Sequence, residues 1–268
     1  RIDSYAGVPV LSGNGKVMGV VAAMGSATVA PEGKAVELLH TLSRMIAFEW
    51  GREAHIAAIK DVSLDTIHRL SRAAEYRDED TGSHLHRMSR YTAAIAQRMG
   101  LDARTVETIL YAAPMHDIGK IGVPDRILLK PGKLDSDEWG IMKQHTAIGE
   151  AILEGSRNSF LQLAKIIAAT HHEKWDGTGY PKGLKGEEIP LIGRITAVAD
   201  VFDALTSRRP YKAPLPLEKA FAIIEEGKGA HFDPAVVDAF FAVQDEILII
   251  RATYQDDDGS MLAHLAAT

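Results

Sequence analysis

The feature that most restricts the fold is a succession of amphipathic helical patterns between residues 78 and 254, with no convincing strand among them. The pattern from Ser83 to Met99, for example, repeats apolar residues at helical spacing and stops at Gly100. Asp102 then caps the next pattern. A series of helices with short connections predicts a mainly α fold, in which this part of the chain forms a helical bundle.

Further signals for helix starts follow along the chain. Asp135 followed by Glu138 is a capping box, which predicts a helix that runs through His145 to about Leu153. Residues 160–170 predict a compact apolar helix. Proline marks the first turn of three later helices, at Pro190, Pro216 and Pro234. The helix that begins at Pro234 is predicted to be the last helix of the bundle.

The N-terminal part of the sequence predicts a small β element. Residues 1–31 contain two apolar runs joined by Ser12-Gly13-Asn14-Gly15, which is the turn chemistry of a β-hairpin. The pattern GVPVLSGNGKVMGVVAAM resembles the final strands of a GAF sensory domain. A hairpin that packs on the helical body is the alternative interpretation.

One long helical pattern, residues 32–77, follows this β element and is expected to act as a connector. Its apolar residues favour a homodimer through a coiled coil, but their heptad spacing breaks near Glu49 and Arg52. A helix that packs along its own body is therefore an equal alternative. At the other end of the chain, the tail of residues 255–268 has little apolar periodicity and is expected to lie loosely.

Composition excludes several classes of function. A net charge of −6 without long Lys and Arg runs argues against nucleic-acid binding, and the apolar runs are too short for membrane insertion. The chain has no cysteine, which excludes disulfides, zinc-thiolate sites and iron-sulfur clusters and suits the cytoplasm. Any metal must therefore bind to His, Asp and Glu. The start at Arg1, without a signal-like segment, predicts a piece of a longer protein.

The pentapeptide His116-Asp117-Ile118-Gly119-Lys120 brings an imidazole, a carboxylate and an ammonium together near a helix end. Taken alone, such a pair is more often a surface hydrogen bond than a metal site. However, ligand-capable residues stand near the ends of five predicted helices, namely His84, His116, Asp117, His145, His171, His172 and Asp200. This set exceeds what one zinc ion needs and predicts two or three divalent ions, with Asp117 best placed to bridge two of them.

The remaining histidines lack partners at ligand spacing. His231 is undecided, and the others are interpreted as surface or packing residues, namely His40, His55, His68, His86 and His264.

Four motifs in the sequence resemble a known family: HDIGK, HHEKWDGTGYP, GRITAVADVFDALTSRRPYK and HFDP. Together they are similar to the HD-GYP subgroup of the HD-superfamily metal phosphohydrolases. The resemblance implies an HD-type helical bundle that hydrolyses cyclic di-GMP with two or three divalent ions, iron or manganese. It also implies that the seven residues above are metal ligands. Asp80 stands where members with a third ion typically carry Glu, which leaves open whether this centre holds two ions or three.

The resemblance implies substrate contacts as well. Lys120, Arg209 and Lys212 match positions that contact substrate phosphate, where cations stabilise the developing negative charge. Tyr180 matches a position that contacts a base or the loop. The alternatives are a solvated basic turn for Arg209 and Lys212 and a purely structural loop for Tyr180. Three acidic residues either orient the imidazoles or serve only as caps and ion pairs: Glu173, Asp176 and Asp203.

These observations lead to one hypothesis of function, with Asp117 and Lys120 as the catalytic residues. A metal-bridging hydroxide attacks a phosphodiester of cyclic di-GMP to give linear pGpG, with GMP as a further product to be tested. The alternatives are a non-catalytic cyclic dinucleotide receptor or protein-interaction module, a hydrolase of another cyclic dinucleotide, and a di-iron oxygenase on the same scaffold. A GGDEF-type cyclase is an expected partner.

Overall fold

The computed structural model describes residues 2–26, 33–75, 82–207 and 213–255. The chain divides into two compact units, Arg1–Asp65 and Thr66–Thr268. The domain boundaries predicted at residues 31/32 and 77/78 lie outside the described residues, so these boundaries stay predictions.

The first unit begins with the predicted β-hairpin, which is confirmed. Strands β1 (Ser4–Leu11) and β2 (Val17–Gly25) pair antiparallel, with Val8 opposite Val21. The turn is closed by the Ser12 amide, which donates to the Lys16 carbonyl at 2.8 Å. The resemblance of this hairpin to the end of a GAF domain stays a prediction.

Helix α1 (Lys34–Glu75) is the long predicted helix and continues from the first unit into the second. In the first unit its Ser43 hydroxyl donates to the Pro9 carbonyl at 2.6 Å. Leu39 and the strand residues Val8 and Val10 are buried there. The hairpin therefore packs on α1 through a narrow apolar face.

The second unit is a helical bundle, as predicted. Its helices are α2 (Gly82–Arg98), α3 (Ala103–Ala112), α4 (Asp125–Leu128), α5 (Ser136–Met142), α6 (His145–Leu153), α7 (Ser159–Thr170), α8 (Leu191–Thr206), α9 (Leu217–Glu226), α10 (Pro234–Ala242) and α11 (Gln244–Thr253). Helix α2 packs on α3 and α8, and α7 packs on α3 and α6. The large buried side chains between them include Met88, Ile109, Ile167 and Phe202. The predicted caps at Asp102 and Asp135 are both present.

Two predicted helices are each divided in the structure. The predicted helix from Asp135 through His145 is wrong, because α5 ends at Met142 and α6 begins at His145. The His145 ring bonds the Met142 carbonyl at 2.8 Å, which a continuous helix would use for the Thr146 amide. That amide donates instead to the Lys143 carbonyl at 3.4 Å, and the chain turns there.

The helix predicted to be final likewise ends early, at Ala242, and α11 follows it. Val243 leaves helical geometry at this junction, with φ −116° and ψ 20°. Its amide donates to the Phe240 carbonyl, a shorter-range bond than the α-helix uses. Among the described residues, no helix is both long and apolar enough to cross a membrane.

Candidate metal centre

The seven predicted ligands lie at one place in the bundle and form two groups. The first group consists of Asp117, His145, His171 and His172, and the second consists of His84, His116 and Asp200. Within each group, the atoms that can bind a metal lie within 4.8 Å of one another. The sequence-predicted ligands that the structure describes are therefore brought together.

Helix ends carry three of these seven side chains to the centre. His145 opens α6, and His171 and His172 follow the last residue of α7. His84 and Asp200 lie inside α2 and α8. In contrast to the predicted helix end, His116 and Asp117 lie between two 3₁₀ turns, Ala113–Met115 and Ile118–Gly122, the first of which contains Pro114.

Gly119 lets the His116-Asp117 segment lie directly on α6. A Cβ atom at this position would lie 1.9 Å from the His145 carbonyl oxygen and 2.5 Å from the Gly149 amide nitrogen. Both atoms belong to the backbone and cannot move aside cheaply. Only glycine therefore allows the two ligand-bearing segments to approach this closely.

Three of the imidazole rings share one hydrogen-bonding pattern. Each uses Nδ1 to bond a protein oxygen: His116 the Ala113 carbonyl at 3.2 Å, His145 the Met142 carbonyl at 2.8 Å and His171 the Ile167 carbonyl at 3.0 Å. Because a carbonyl can only accept, Nδ1 carries the proton in all three rings. Their Nε2 atoms therefore point lone pairs toward the centre.

The Nε2 atoms face the Asp117 carboxylate. His145 and His171 lie 3.2 Å and 3.5 Å from Asp117 Oδ1, and His116 lies 3.3 Å from Oδ2. Within the described residues, Asp117 Oδ1 and the three Nε2 atoms are buried without a hydrogen-bond partner. Lone pairs at this distance repel unless a cation lies between them. Two ligands about 2.1 Å from one ion lie roughly 3.0–3.4 Å apart, so these residues fit a divalent ion.

The second group is wider and has its own support. Asp200 Oδ1 lies 3.9 Å from the Nε2 atoms of both His84 and His116. Asp203 accepts from His84 Nδ1 at 2.8 Å and from Arg87 at 2.6 Å and 3.0 Å. Burial alone would raise the pKa of Asp203, but its bonds to His84 and Arg87 lower that pKa to about 2. At neutral pH Asp203 is therefore an anion, and it accepts from the His84 ring and fixes the orientation of that ring.

Lys120 places a positive charge beside the Asp117 carboxylate. Its Nζ lies 2.9 Å from Asp117 Oδ2. Burial alone would raise the pKa of Asp117, but the Lys120 ammonium holds it well below its usual range. Burial holds the pKa of His172 well below its usual range. At neutral pH, Asp117 is thus an anion and His172 a neutral ring, the forms in which both bind metals.

The Gly179-Tyr180-Pro181 loop borders the first group. The Tyr180 and His172 rings lie 4.8 Å apart at 37°. A Cβ on Gly179 would lie 2.3 Å from the Lys174 amide, so the loop can approach the His172 segment only with glycine there. Buried Glu173 accepts from the Lys182 and Leu184 amides at 2.8 Å and 3.0 Å, which fixes the loop. Burial also raises the pKa of Tyr180, so its hydroxyl stays protonated.

The other candidates lie elsewhere or cannot be described. Asp176 caps the loop through Thr178, and His231 stacks on Phe232, and neither belongs to the two groups. Asp80, Arg209 and Lys212 lie outside the described residues.

The sequence patterns did not predict a role for Arg87, Trp139 or Lys143. Arg87 is a buried cation three residues after His84, on the same helix face, and this spacing was the available signal. Trp139 and Lys143 lie beside Tyr180 and resemble ordinary helix residues in the sequence.

A sequence model of the HD domain family matches residues 68–236, more than half of the chain. The chain belongs to the HD domain family. This HD domain protein is 48% identical over 217 residues to a cyclic di-GMP phosphodiesterase of Thermotoga maritima, covering 81% of this chain and 59% of that protein. It is 45% identical over 198 residues to 3'3'-cGAMP-specific phosphodiesterase 2 of Vibrio cholerae, covering 74% and 38%. The predicted HD-GYP resemblance is confirmed, and family membership implies divalent metal binding.

A solved structure agrees on the fold. A cyclic GMP-AMP specific phosphodiesterase of Vibrio cholerae matches with a TM-score of 0.55 and 18% identity, over 70% of this chain and 50% of that chain. At this identity the likeness shows the HD-type fold alone. The HD domain protein spans about half the length of the curated relatives it matches.

Proposed function

We propose that this HD domain protein is a metal-dependent cyclic di-GMP phosphodiesterase. The observation that carries the proposal is the convergence of seven ligand-capable side chains into two adjacent groups around Asp117. Lys120 adds a cation beside them. Several relatives that are 45–50% identical carry the name cyclic di-GMP phosphodiesterase, which supports this substrate.

The seven residues of the two groups are the proposed metal ligands. Asp117 is suited to bridge two ions, because Oδ1 faces the first group and Oδ2 faces His116 of the second. A nitrogen and oxygen donor set without sulfur suits iron or manganese. When bound, such ions would polarise the phosphodiester and activate the attacking water. A third ion would require Asp80 as a ligand, at a position where the family typically carries Glu.

Side chains of the protein neutralise charge, orient the ligands and contact the substrate. Lys120 neutralises negative charge on the phosphate that is attacked, and its position against Asp117 keeps the ammonium directed into the centre. Asp203 and Arg87 fix the His84 ring. Arg209 and Lys212, proposed from the sequence, would contact the other phosphate, while Tyr180 closes the side of the first group.

The substrate is tested by incubating metal-reconstituted protein with cyclic di-GMP, 3'3'-cGAMP and cyclic di-AMP, followed by chromatography. The proposal expects pGpG, and then GMP, from cyclic di-GMP at the highest kcat/KM. Faster turnover of 3'3'-cGAMP would favour the activity named for a second relative. Binding of cyclic di-GMP without any product would favour the receptor, and dioxygen consumption would favour the oxygenase.

We also propose a homodimer through α1. Six apolar residues follow a heptad spacing along this helix and are 39–62% exposed, namely Leu38, Leu42, Met45, Ile56, Ile59 and Leu70. Polar residues interrupt this stripe at Glu49 and Arg52, which pair with each other, and again at Ser63 and Thr66. An exposed apolar stripe of this length is costly in water unless a second copy covers it. The GGDEF-type partner and the cytoplasmic location stay predictions from the sequence.

A further inference from the structure

Trp139 is an exposed aromatic residue beside the first metal group. Its exposed fraction is 46%, and its ring centroid lies 6.2 Å from that of Tyr180 at an interplanar angle of 80°. The small apolar cluster that anchors this region consists of Val123, Ile127 and Leu128 with Leu134, Ile141 and Met142. Trp139 is not part of that cluster, so core packing does not explain an indole here.

Lys143 adds a cation to the same corner. It follows Trp139 by one helical turn and places Nζ 5.8 Å from the centre of the Tyr180 ring. Lys143 also precedes His145, a member of the first group, by two residues in the sequence. Trp139, Tyr180 and Lys143 therefore form an aromatic and cationic corner, which is joined to the metal centre through the contact of Tyr180 with His172.

We propose that this corner is a subsite for one guanine base of the substrate. The proposal rests on the proposed phosphodiesterase function. A phosphodiester held at the first group carries its base one ribose away, on the surface that borders the group. An exposed indole offers the flat apolar face on which nucleobases stack.

Lys143 gives the subsite its preference among purines. An ammonium can donate to O6 and N7 of guanine, whereas adenine presents an amino donor in place of O6. A lysine therefore favours guanine and opposes adenine at this position. Trp139 supplies affinity that every base can use, and Lys143 supplies the discrimination.

The experiment compares Trp139→Ala and Lys143→Met with wild-type protein on two substrates, and Lys143→Met also on cyclic di-AMP, after metal content has been matched. Cyclic di-GMP carries bases, and bis(p-nitrophenyl) phosphate carries a phosphodiester without a nucleobase. We expect Trp139→Ala to raise KM for cyclic di-GMP about 5- to 100-fold and to leave the second substrate within about two-fold. Trp139→Phe should recover part of this loss. Lys143→Met should reduce the preference for cyclic di-GMP over cyclic di-AMP about ten-fold.

Trp50→Ala is the matched control, because Trp50 in the first unit has an exposed fraction of 45%. Equal losses on both substrates in Trp139→Ala would mean a structural role, and no loss on either would mean no subsite. Either result overturns the proposal. Wild-type protein that cleaves only bis(p-nitrophenyl) phosphate would instead overturn the proposed function.

A binding measurement tests the subsite without turnover. In metal-free protein carrying Trp50→Phe and Trp175→Phe, Trp139 is the one tryptophan that remains. We expect cyclic di-GMP to quench its emission at saturation and Lys143→Met to weaken that binding. An emission that does not change while calorimetry detects binding would place the base elsewhere and overturn the proposal.

Discussion

Asp203 shows how one buried carboxylate can support the centre without binding metal itself. It is fully buried and accepts from both His84 and Arg87. Replacing it with Asn would remove the carboxylate charge that pairs with the buried Arg87 guanidinium. In metal-free protein we expect Asp203→Asn to lower the free energy of unfolding by about 3–5 kcal/mol, measured with urea at neutral pH.

The same residue predicts a pH dependence. Because the pKa of Asp203 is lowered from 3.8 to about 2, its ionised form stabilises the fold above about pH 4. That contribution is lost as the pH falls through about 2. Urea unfolding from pH 5 to pH 2 should show a smaller loss of stability in Asp203→Asn than in wild type. Asp245→Asn, at an exposed position, is the control and should keep the wild-type slope.

A substitution at Lys120 should distinguish turnover from metal binding. Lys120→Met keeps the apolar stem and removes the ammonium that lies against Asp117. We expect turnover of cyclic di-GMP to fall about 10²- to 10³-fold, because charge on the phosphate is no longer neutralised. Metal content, measured by mass spectrometry, should stay near that of wild type. The control is Lys133→Met at an exposed position, and full turnover in Lys120→Met would exclude the proposed role.

At the scale of elements, the contact between the His116-Asp117 segment and α6 depends on Gly119. Gly119→Ala would force Cβ against the His145 carbonyl and the Gly149 amide. We expect a destabilisation of about 1–3 kcal/mol and a reduced metal content, because His145 moves with α6. Thermal unfolding and metal analysis measure the two effects.

Gly140→Ala is the matched control for this substitution. Gly140 lies inside α5, and a Cβ there meets nothing within 4 Å. The change should stabilise the protein by up to about 1 kcal/mol through helix propensity and leave metal content unchanged. Equal behaviour of the two variants would contradict the close packing at Gly119.

The sequence predicted these elements where the signals were local. Asp102, Asp135 and Gly100 marked helix ends correctly, because a cap acts within one turn. The break between α5 and α6 was missed, because it depends on the His145 ring taking the Met142 carbonyl, which periodicity does not reveal. Similarly, a helical pattern cannot distinguish Arg87, buried against Asp203, from a solvated arginine.

The structure brings together the residues that the sequence nominated as metal ligands, but the sequence did not predict their arrangement. Histidines and aspartates at helix ends pointed to a shared centre. Their division into two groups, with Asp117 between them, depends on how the helices pack. The same packing brings Trp139 to Tyr180, although the two residues are far apart in sequence.

At the scale of the whole molecule, the exposed stripe of α1 predicts self-association. Ile56→Glu with Ile59→Glu places two charges inside the stripe and should convert a dimer to a monomer in light scattering. Ala57→Glu with Ala58→Glu adds the same charges at neighbouring exposed positions outside the stripe and should remain dimeric. A monomeric wild type at high concentration, or a dimeric Ile56/Ile59 variant, would contradict the proposal.

The proposed phosphodiesterase activity depends on divalent ions that the two groups around Asp117 would hold. The most direct test is titration of metal-free protein with iron(II) or manganese(II), with bound metal and cyclic di-GMP hydrolysis followed together. We predict no turnover without metal, turnover that rises until at least two ions are bound per chain, and neither full loading nor turnover in Asp117→Asn. Hydrolysis by metal-free protein, or wild-type turnover by Asp117→Asn, would contradict the account.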